Sequence, residues 1–172
     1  MSNPEVLDIT AGYRKMWKGK TQNVLFLDVR KEVKPDIVAS NEYLPFKNET
    51  FKRVVYDPPH LIQPNINVTT SRISKDLAKR YSYWTKKEHL MRNIILVNKE
   101  VYRVLSGNGI LFCKFTPTRD GHVTVEMFIR ILENFEVKRI RRDRSKVKTL
   151  HGSKDYVYHI TMGKRNLNEG NS

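Results

Sequence analysis

The chain has 172 residues, 39% hydrophobic and 29% charged, a balance that excludes a disordered class and allows a buried core of roughly 70% of the unfolded surface. No apolar run approaches the ~20 residues of a membrane span. Lys plus Arg number 32 against 18 Asp plus Glu, a net charge of +14; this predicts a polyanionic partner, nucleic acid ahead of membrane, since no Lys-rich helix carries a Trp/Leu face.

In chain order, the start Met1-Ser2-Asn3-Pro4 has no basic segment and no apolar core, so no secretory signal and a cytoplasmic, intracellular protein are expected. Glu5 to Thr10 reads as a first strand, Ala11-Gly12 as a turn and Tyr13 to Lys18 as a short helix. Gln22 to Val29 and Pro35 to Ser40 read as the second and third strands. Arg53 to Asp57 is the fourth, apolar and β-branched until two prolines end it. Residues 61 to 72 have no periodicity and read as a long loop.

Thr85 to Leu105 is the clearest helix, with Leu90, Ile94, Val97, Val101 and Val104 at 3-to-4 spacing. Ser106-Gly107-Asn108-Gly109 is expected to stop it through a left-handed glycine cap. Ile110 to Phe115 is a fifth strand, apolar on both faces except at Lys114. It holds the only cysteine, Cys113, expected to be a buried, inert thiol; a lone cysteine excludes an internal disulfide and a cysteine-cluster zinc site. Val123 to Glu133 reads as a helix, and Phe135 to Ile140 and Tyr156 to Met162 as antiparallel strands joined by a basic hairpin loop over 141 to 155. Strands alternating with helices predict one α/β domain over residues 1–165, followed by a polar tail over 166–172.

Three acids stand at predicted strand ends: Asp8, Asp28 and Asp57. In open α/β sheets ligands bind at that edge. Gly12 allows a tight turn and a close backbone approach. Asp28 stands where a carboxylate suits the two hydroxyls of a ribose. Asp57-Pro58-Pro59-His60 places a carboxylate on a rigid turn, able to accept from a substrate amine together with a backbone carbonyl. No Gly-Lys-Ser/Thr phosphate loop and no Gly-x-Gly-x-x-Gly is present, which argues against nucleotide hydrolysis and against NAD.

These motifs, in this order, resemble those of the class I S-adenosylmethionine-dependent methyltransferases over residues 5 to 162. Asp8-Ile-Thr-Ala-Gly12 is similar to the family's first cofactor motif, and Asp57-Pro-Pro-His60 to the Asp/Asn-Pro-Pro-aromatic motif of amino-methyltransferases. The resemblance implies a Rossmann-like, seven-stranded, mostly parallel sheet with an antiparallel C-terminal strand and helices on both faces. It implies S-adenosyl-L-methionine as cofactor, held by Asp8, Thr10, Ala11, Gly12, Tyr13, Asp28, Val29, Asn41 and Leu44. Catalysis falls to Asp57, Pro58, Pro59 and His60, with His60 stacking on the target base. No metal is implied. The sequence departs from the family pattern at Tyr13-Arg14, where more glycine is usual, and has no room for a large target-recognition region.

Two basic segments flank this face. In the first, Arg72, Lys75, Lys79 and Arg80 are interleaved with Tyr83 and Trp84, which suits backbone contact plus base stacking, although Trp84 is equally suited to the core. In the second, Arg139, Arg141, Arg142, Arg144, Lys146 and Lys148 form an expected phosphate-contact surface, with a solvated hairpin tip as the bland alternative. The leading expectation is an N-methyltransferase acting on an exocyclic amine of a base in RNA or DNA. A protein N-methyltransferase and a non-catalytic nucleic-acid-binding protein on the same fold remain open alternatives. A metal-dependent nuclease through Asp28, Asp36 and Asp57 is disfavoured, because Asp36 would start its strand and not end it.

Overall fold

The protein is described from a computed structural model, covering residues 4–17, 19, 21–59, 62, 84–118, 123–144 and 156–165. His60, the expected loop over 61–72 apart from Ile62, the basic residues from Arg72 to Tyr83, Lys146, Lys148 and the tail over 166–172 lie outside the described residues.

Seven strands form one sheet in the order β3-β2-β1-β4-β5-β7-β6. The strands β1 (Val6–Asp8), β2 (Val24–Asp28), β3 (Ile37–Val38), β4 (Phe51–Tyr56) and β5 (Leu105–Phe115) pair in parallel. The last strand, β7 (Tyr156–Lys164), inserts antiparallel between β5 and β6 (Phe135–Arg144). The strand order reverses beside β1, and the carboxyl ends of β1, β2 and β4 meet there, as the acid-terminated strands required.

Two α-helices complete the described fold: α1 (Lys87–Val104) and α2 (Val125–Ile131). The apolar stripe of α1, from Leu90 through Ile94, Val97 and Val101 to Val104, is fully buried. Each such side chain contributes about 1.5–3 kcal/mol of burial free energy. Thr124 caps α2, its hydroxyl accepting from the Met127 N–H at 3.2 Å. Tyr56 of β4 ties the layer together: its hydroxyl donates to Asn93 of α1 at 2.7 Å and its ring stacks on Phe128 of α2. Among the described residues both α-helices therefore lie on one face of the sheet. Along β5, Leu111, Cys113 and Phe115 are buried beneath them, while Phe112 points the other way and is exposed. Cys113 is buried as expected, and burial pushes its thiol up, away from the reactive thiolate form.

Several local expectations are corrected. Over its described residues, 13–17, the short helix expected from Tyr13 to Lys18 is a series of turns, because Gly12 and Arg14 both sit at positive φ (49° and 57°) and break any helix there. Arg14 holds this strained turn by bonding Asp36 at 3.1 Å and the Lys34 carbonyl at 3.1 Å, and by stacking over Phe26. No left-handed glycine ends α1. Leu105 is already extended (φ −75°, ψ 136°) and pairs with Phe51, so the chain runs straight from α1 into β5. The Glu49 N–H reaches the exposed Arg103 carbonyl at 2.9 Å, which removes the need for a glycine cap. Residues 141–144, expected in a loop, extend β6, since register with His159, Tyr158, Val157 and Tyr156 continues through them. Among the described residues no helix is long and apolar enough to cross a membrane.

Candidate active site

The ends of β1, β2 and β4 open into a cleft of about 850 Å³, within the ordinary range for a small-molecule site. Of the residues expected to hold a cofactor, Asp8, Thr10, Ala11, Gly12, Tyr13, Asp28, Val29 and Asn41 line it, as do Asp57, Pro58 and Pro59 of the expected catalytic set. Leu44 is not among its lining residues. It is buried in the core, its backbone held by Glu100 (2.7 Å) and Arg103 (2.9 Å) at the back of the loop that carries Asn41.

Asp8 sits under the cleft floor and is buried. Its carboxylate accepts from the Trp17 indole N–H at 2.7 Å and the Thr10 N–H at 2.9 Å. Burial pushes its carboxyl up to about 6; the two hydrogen bonds oppose this, and the neighbouring Asp57 and Asp28 add to it. This acid is costly to keep ionised and gains from a cationic group in the cleft.

Asp28 is closed off. It accepts from the Gly12 N–H (2.9 Å), the Arg30 N–H (3.0 Å) and the Arg30 guanidinium at Nε (3.0 Å) and Nη2 (3.1 Å). Burial pushes its carboxyl up, but these hydrogen bonds outweigh it and hold the carboxyl below the usual range. A carboxylate offers about four lone-pair positions, and all are used here. Arg30 Nη1 is buried without a partner among the described residues. Gly12 has to be glycine for its φ of 49°, and a Cβ there would approach Arg30 Nη2 at 3.5 Å.

Asp57 follows β4, its N–H donating to the Thr10 hydroxyl at 2.7 Å. One oxygen, Oδ2, pairs with Lys114 Nζ at 2.7 Å; the other, Oδ1, is left open by the described residues. The rigid Pro58-Pro59 turn follows, and the Trp84 indole N–H donates to the Pro59 carbonyl at 2.8 Å. Trp84, expected either in a nucleic-acid surface or in the core, packs against the core and also lines the cleft beside this turn.

Sequence reasoning missed Arg30, Glu42, Asn93, Lys114 and His159, all of which line the cleft. Two had a legible signal. Lys114 is the one polar residue of an apolar strand, and Asn93 lies on the apolar stripe of α1. Asn93 is buried and donates to Asn41 at 2.9 Å and Glu42 at 3.0 Å, fixing the loop after β3. Arg30 and His159 carry no pattern of their own.

The nuclease alternative fails on geometry. Asp36 sits below β3, bonding the Phe26 N–H at 2.9 Å, and is not among the cleft-lining residues. Among the described residues no cluster of His, Cys, Asp and Glu is arranged to hold a metal. The expected arginine surface is divided by strand alternation. Arg139 and Arg141 pair with Thr161 and His159, whereas Arg142 and Arg144 pair with Tyr158 and Tyr156 on the opposite face.

No protein-family model and no curated protein sequence matches the chain. Solved structures do. An S-adenosylmethionine-dependent methyltransferase from Methanosarcina mazei is 15% identical with a TM-score of 0.59, over 95% of this chain and 93% of that one. TrmN from Thermus thermophilus is 17% identical with a TM-score of 0.56, over 95% of this chain and 45% of that one. An rRNA methylase from Streptococcus thermophilus is 12% identical with a TM-score of 0.52, over 94% and 89% of the two chains. Across nearly its whole described length, the chain has the fold of the S-adenosylmethionine-dependent methyltransferases.

Proposed function

We propose that the protein is an S-adenosylmethionine-dependent N-methyltransferase that acts on an exocyclic amine of a base in nucleic acid. The observation that carries this reading is Asp57. Its Oδ1 has no partner among the described residues and sits on a Pro-Pro turn, at the rim of a cleft that also holds the buried acid Asp8 and the left-handed Gly12.

The donor set fits the cofactor. Asp8 gains from a positive charge, Gly12 lets the ligand approach the backbone, and Asn41 and Glu42 offer acceptors, held in place by Asn93. Asp28 joins this set only when Arg30 swings away from it, because its acceptor positions are filled. Bound there, S-adenosylmethionine supplies a methyl group activated by its sulfonium.

The chain's own groups then position the acceptor. Asp57 Oδ1 and the Pro58 carbonyl take the two N–H bonds of the amine, which turns its lone pair away from them and toward the cofactor side of the cleft. Asp57 stabilises the positive charge that develops on nitrogen, and the surplus proton leaves through Oδ1 to water. Lys114 fixes the other carboxylate oxygen, so the open one has a single orientation. Trp84, hydrogen-bonded to Pro59, offers the aromatic face for a base.

Calorimetric titration with S-adenosylmethionine tests the reading: micromolar binding that Asp28→Ala weakens is expected, and absence of binding at millimolar concentration refutes it. One observation favours a second reading, a nucleic-acid-binding protein without catalysis: the Arg30–Asp28 pair closes the ribose position. In that case Arg30→Ala leaves the protein still unable to bind the cofactor.

A further inference from the structure

The face of the C-terminal half of the sheet that no described helix covers carries an aromatic and a set of cations in register. Directly paired residues on neighbouring strands project to the same side. One row runs Lys114–His159–Arg141 across β5, β7 and β6; the next runs Phe112–Thr161–Arg139. The opposite face of the same strands is buried, through Leu111, Cys113, Ile160 and Met162. Phe112 lies in the middle of the sheet, yet is 38% exposed. A single exposed phenyl ring is ordinary on a protein surface; what marks Phe112 is its register, in one row with Arg139 and two residues from Lys114 on the same face.

The upper row starts inside the candidate active site, since Lys114 bonds Asp57 and both Lys114 and His159 line the cleft. It ends on Arg141 at the sheet edge. The acids on this face of β6 are Asp143, which pairs with Arg141 at 3.0 Å and lies 3.4 Å from His159, and Glu136, opposite Gly163, which pairs with Lys138. Lys114 is paired with Asp57 and Arg141 with Asp143, so of the three cations Arg139 is the one to which the described residues bring no carboxylate. Phe112 stands two residues before Lys114, about 6.6 Å along the strand, a distance that one nucleotide bridges.

From this geometry we infer that the open face of β5–β7–β6 is a track for single-stranded nucleic acid, with Phe112 stacking one base and Arg139 and Arg141 holding phosphates. The inference rests on the proposed substrate class and extends it. A flat, aromatic sheet surface reads unstacked bases, whereas a closed duplex presents only phosphates to it. The face leads into the cleft at Asp57, so the nucleotide beside the stacked one is delivered to the open carboxylate oxygen. A charged edge strand also blocks sheet-to-sheet association, but that role belongs to β6 alone and does not involve Phe112 on β5.

The test is fluorescence anisotropy of the full chain with labelled single-stranded RNA, single-stranded DNA and duplex oligonucleotides. Phe112→Ala is expected to weaken single-strand binding about five- to hundredfold, the range of one base stack, and to leave duplex binding unchanged. Phe112→Trp should retain single-strand affinity, which separates stacking from damage to the fold. The double variant Arg139→Gln/Arg141→Gln should lower the slope of log K against log salt by about 1.4. S-adenosylmethionine affinity should be the same in all three variants, so a failed track and a failed methyltransferase reading are told apart. Equal losses on single-stranded and duplex oligonucleotides would overturn the inference in favour of a phosphate-only surface. Unchanged binding in every variant would overturn it outright, as would a dimer in sedimentation that Phe112→Ala dissociates.

Discussion

Replacing Asp8 with Asn probes the electrostatic cost built into the cleft. Asp8 is 3% exposed, and burial pushes its carboxyl from an ordinary 3.8 up to about 6. An acid whose folded value lies above its unfolded one binds more protons in the native state, so stability falls as pH rises. The contribution is fully present below about 3.8 and is lost as pH climbs through about 6. That gap corresponds to about 3 kcal/mol at neutral pH, a large share of the stability of a small domain. Asn cannot ionise, so Asp8→Asn removes this slope. Asn keeps an acceptor for the Thr10 N–H, and any constant offset from the Trp17 contact leaves the slope unaltered. Urea unfolding followed by the fluorescence of the two tryptophans, Trp17 and Trp84, at several pH values between 4 and 7 measures both proteins. The expected result is a stability difference that shifts by about 2.4 kcal/mol in favour of the variant across this window, the rest of the change lying below pH 4. Parallel stability curves would refute the reasoning. Wild-type affinity for S-adenosylmethionine should also rise with pH through about 6, because only ionised Asp8 attracts a cation.

Arg30→Ala frees two acceptor positions on Asp28, so S-adenosylmethionine should bind about tenfold tighter, or 1.4 kcal/mol; weaker binding in calorimetry would mean that Arg30 itself holds the ligand. Asp28→Ala should weaken binding by about 1–3 kcal/mol, the scale of a charge-assisted hydrogen bond. Asn93→Ala strips partners from Tyr56, Asn41 and Glu42 at once. It should lower stability in urea by about 1–3 kcal/mol and loosen the cofactor, whereas an unchanged midpoint would show that the network is not structural. Gly12→Ala forces a Cβ into a left-handed residue and should cost about 1–2 kcal/mol in thermal unfolding.

The strands that end in acids were legible because each couples an apolar, β-branched run to a carboxylate where pairing stops. Helix α1 was legible because its apolar stripe recurs at 3-to-4 spacing over about four turns. The run of turns over 13–17 was not, since its conformation is set by Arg14 reaching Asp36 and Lys34, 20 residues or more away. The charged end of β6 read as a loop because local sequence carries no information about pairing with β7. An edge strand tolerates Arg-Arg-Asp-Arg where an interior one would not. The three acids that line the cleft were legible by their position in the chain, but their partners were not. Arg30 saturates Asp28 and Lys114 binds Asp57 through contacts that only the assembled sheet creates.

The most direct test is transfer of a radiolabelled methyl group from S-adenosylmethionine to RNA and DNA oligonucleotides by the wild type and by Asp57→Ala, with cofactor affinity measured alongside. The account predicts label on a base amine with the wild type, none with Asp57→Ala, and equal cofactor affinity in the two proteins. Undiminished transfer by Asp57→Ala, or label found only on protein, would contradict it.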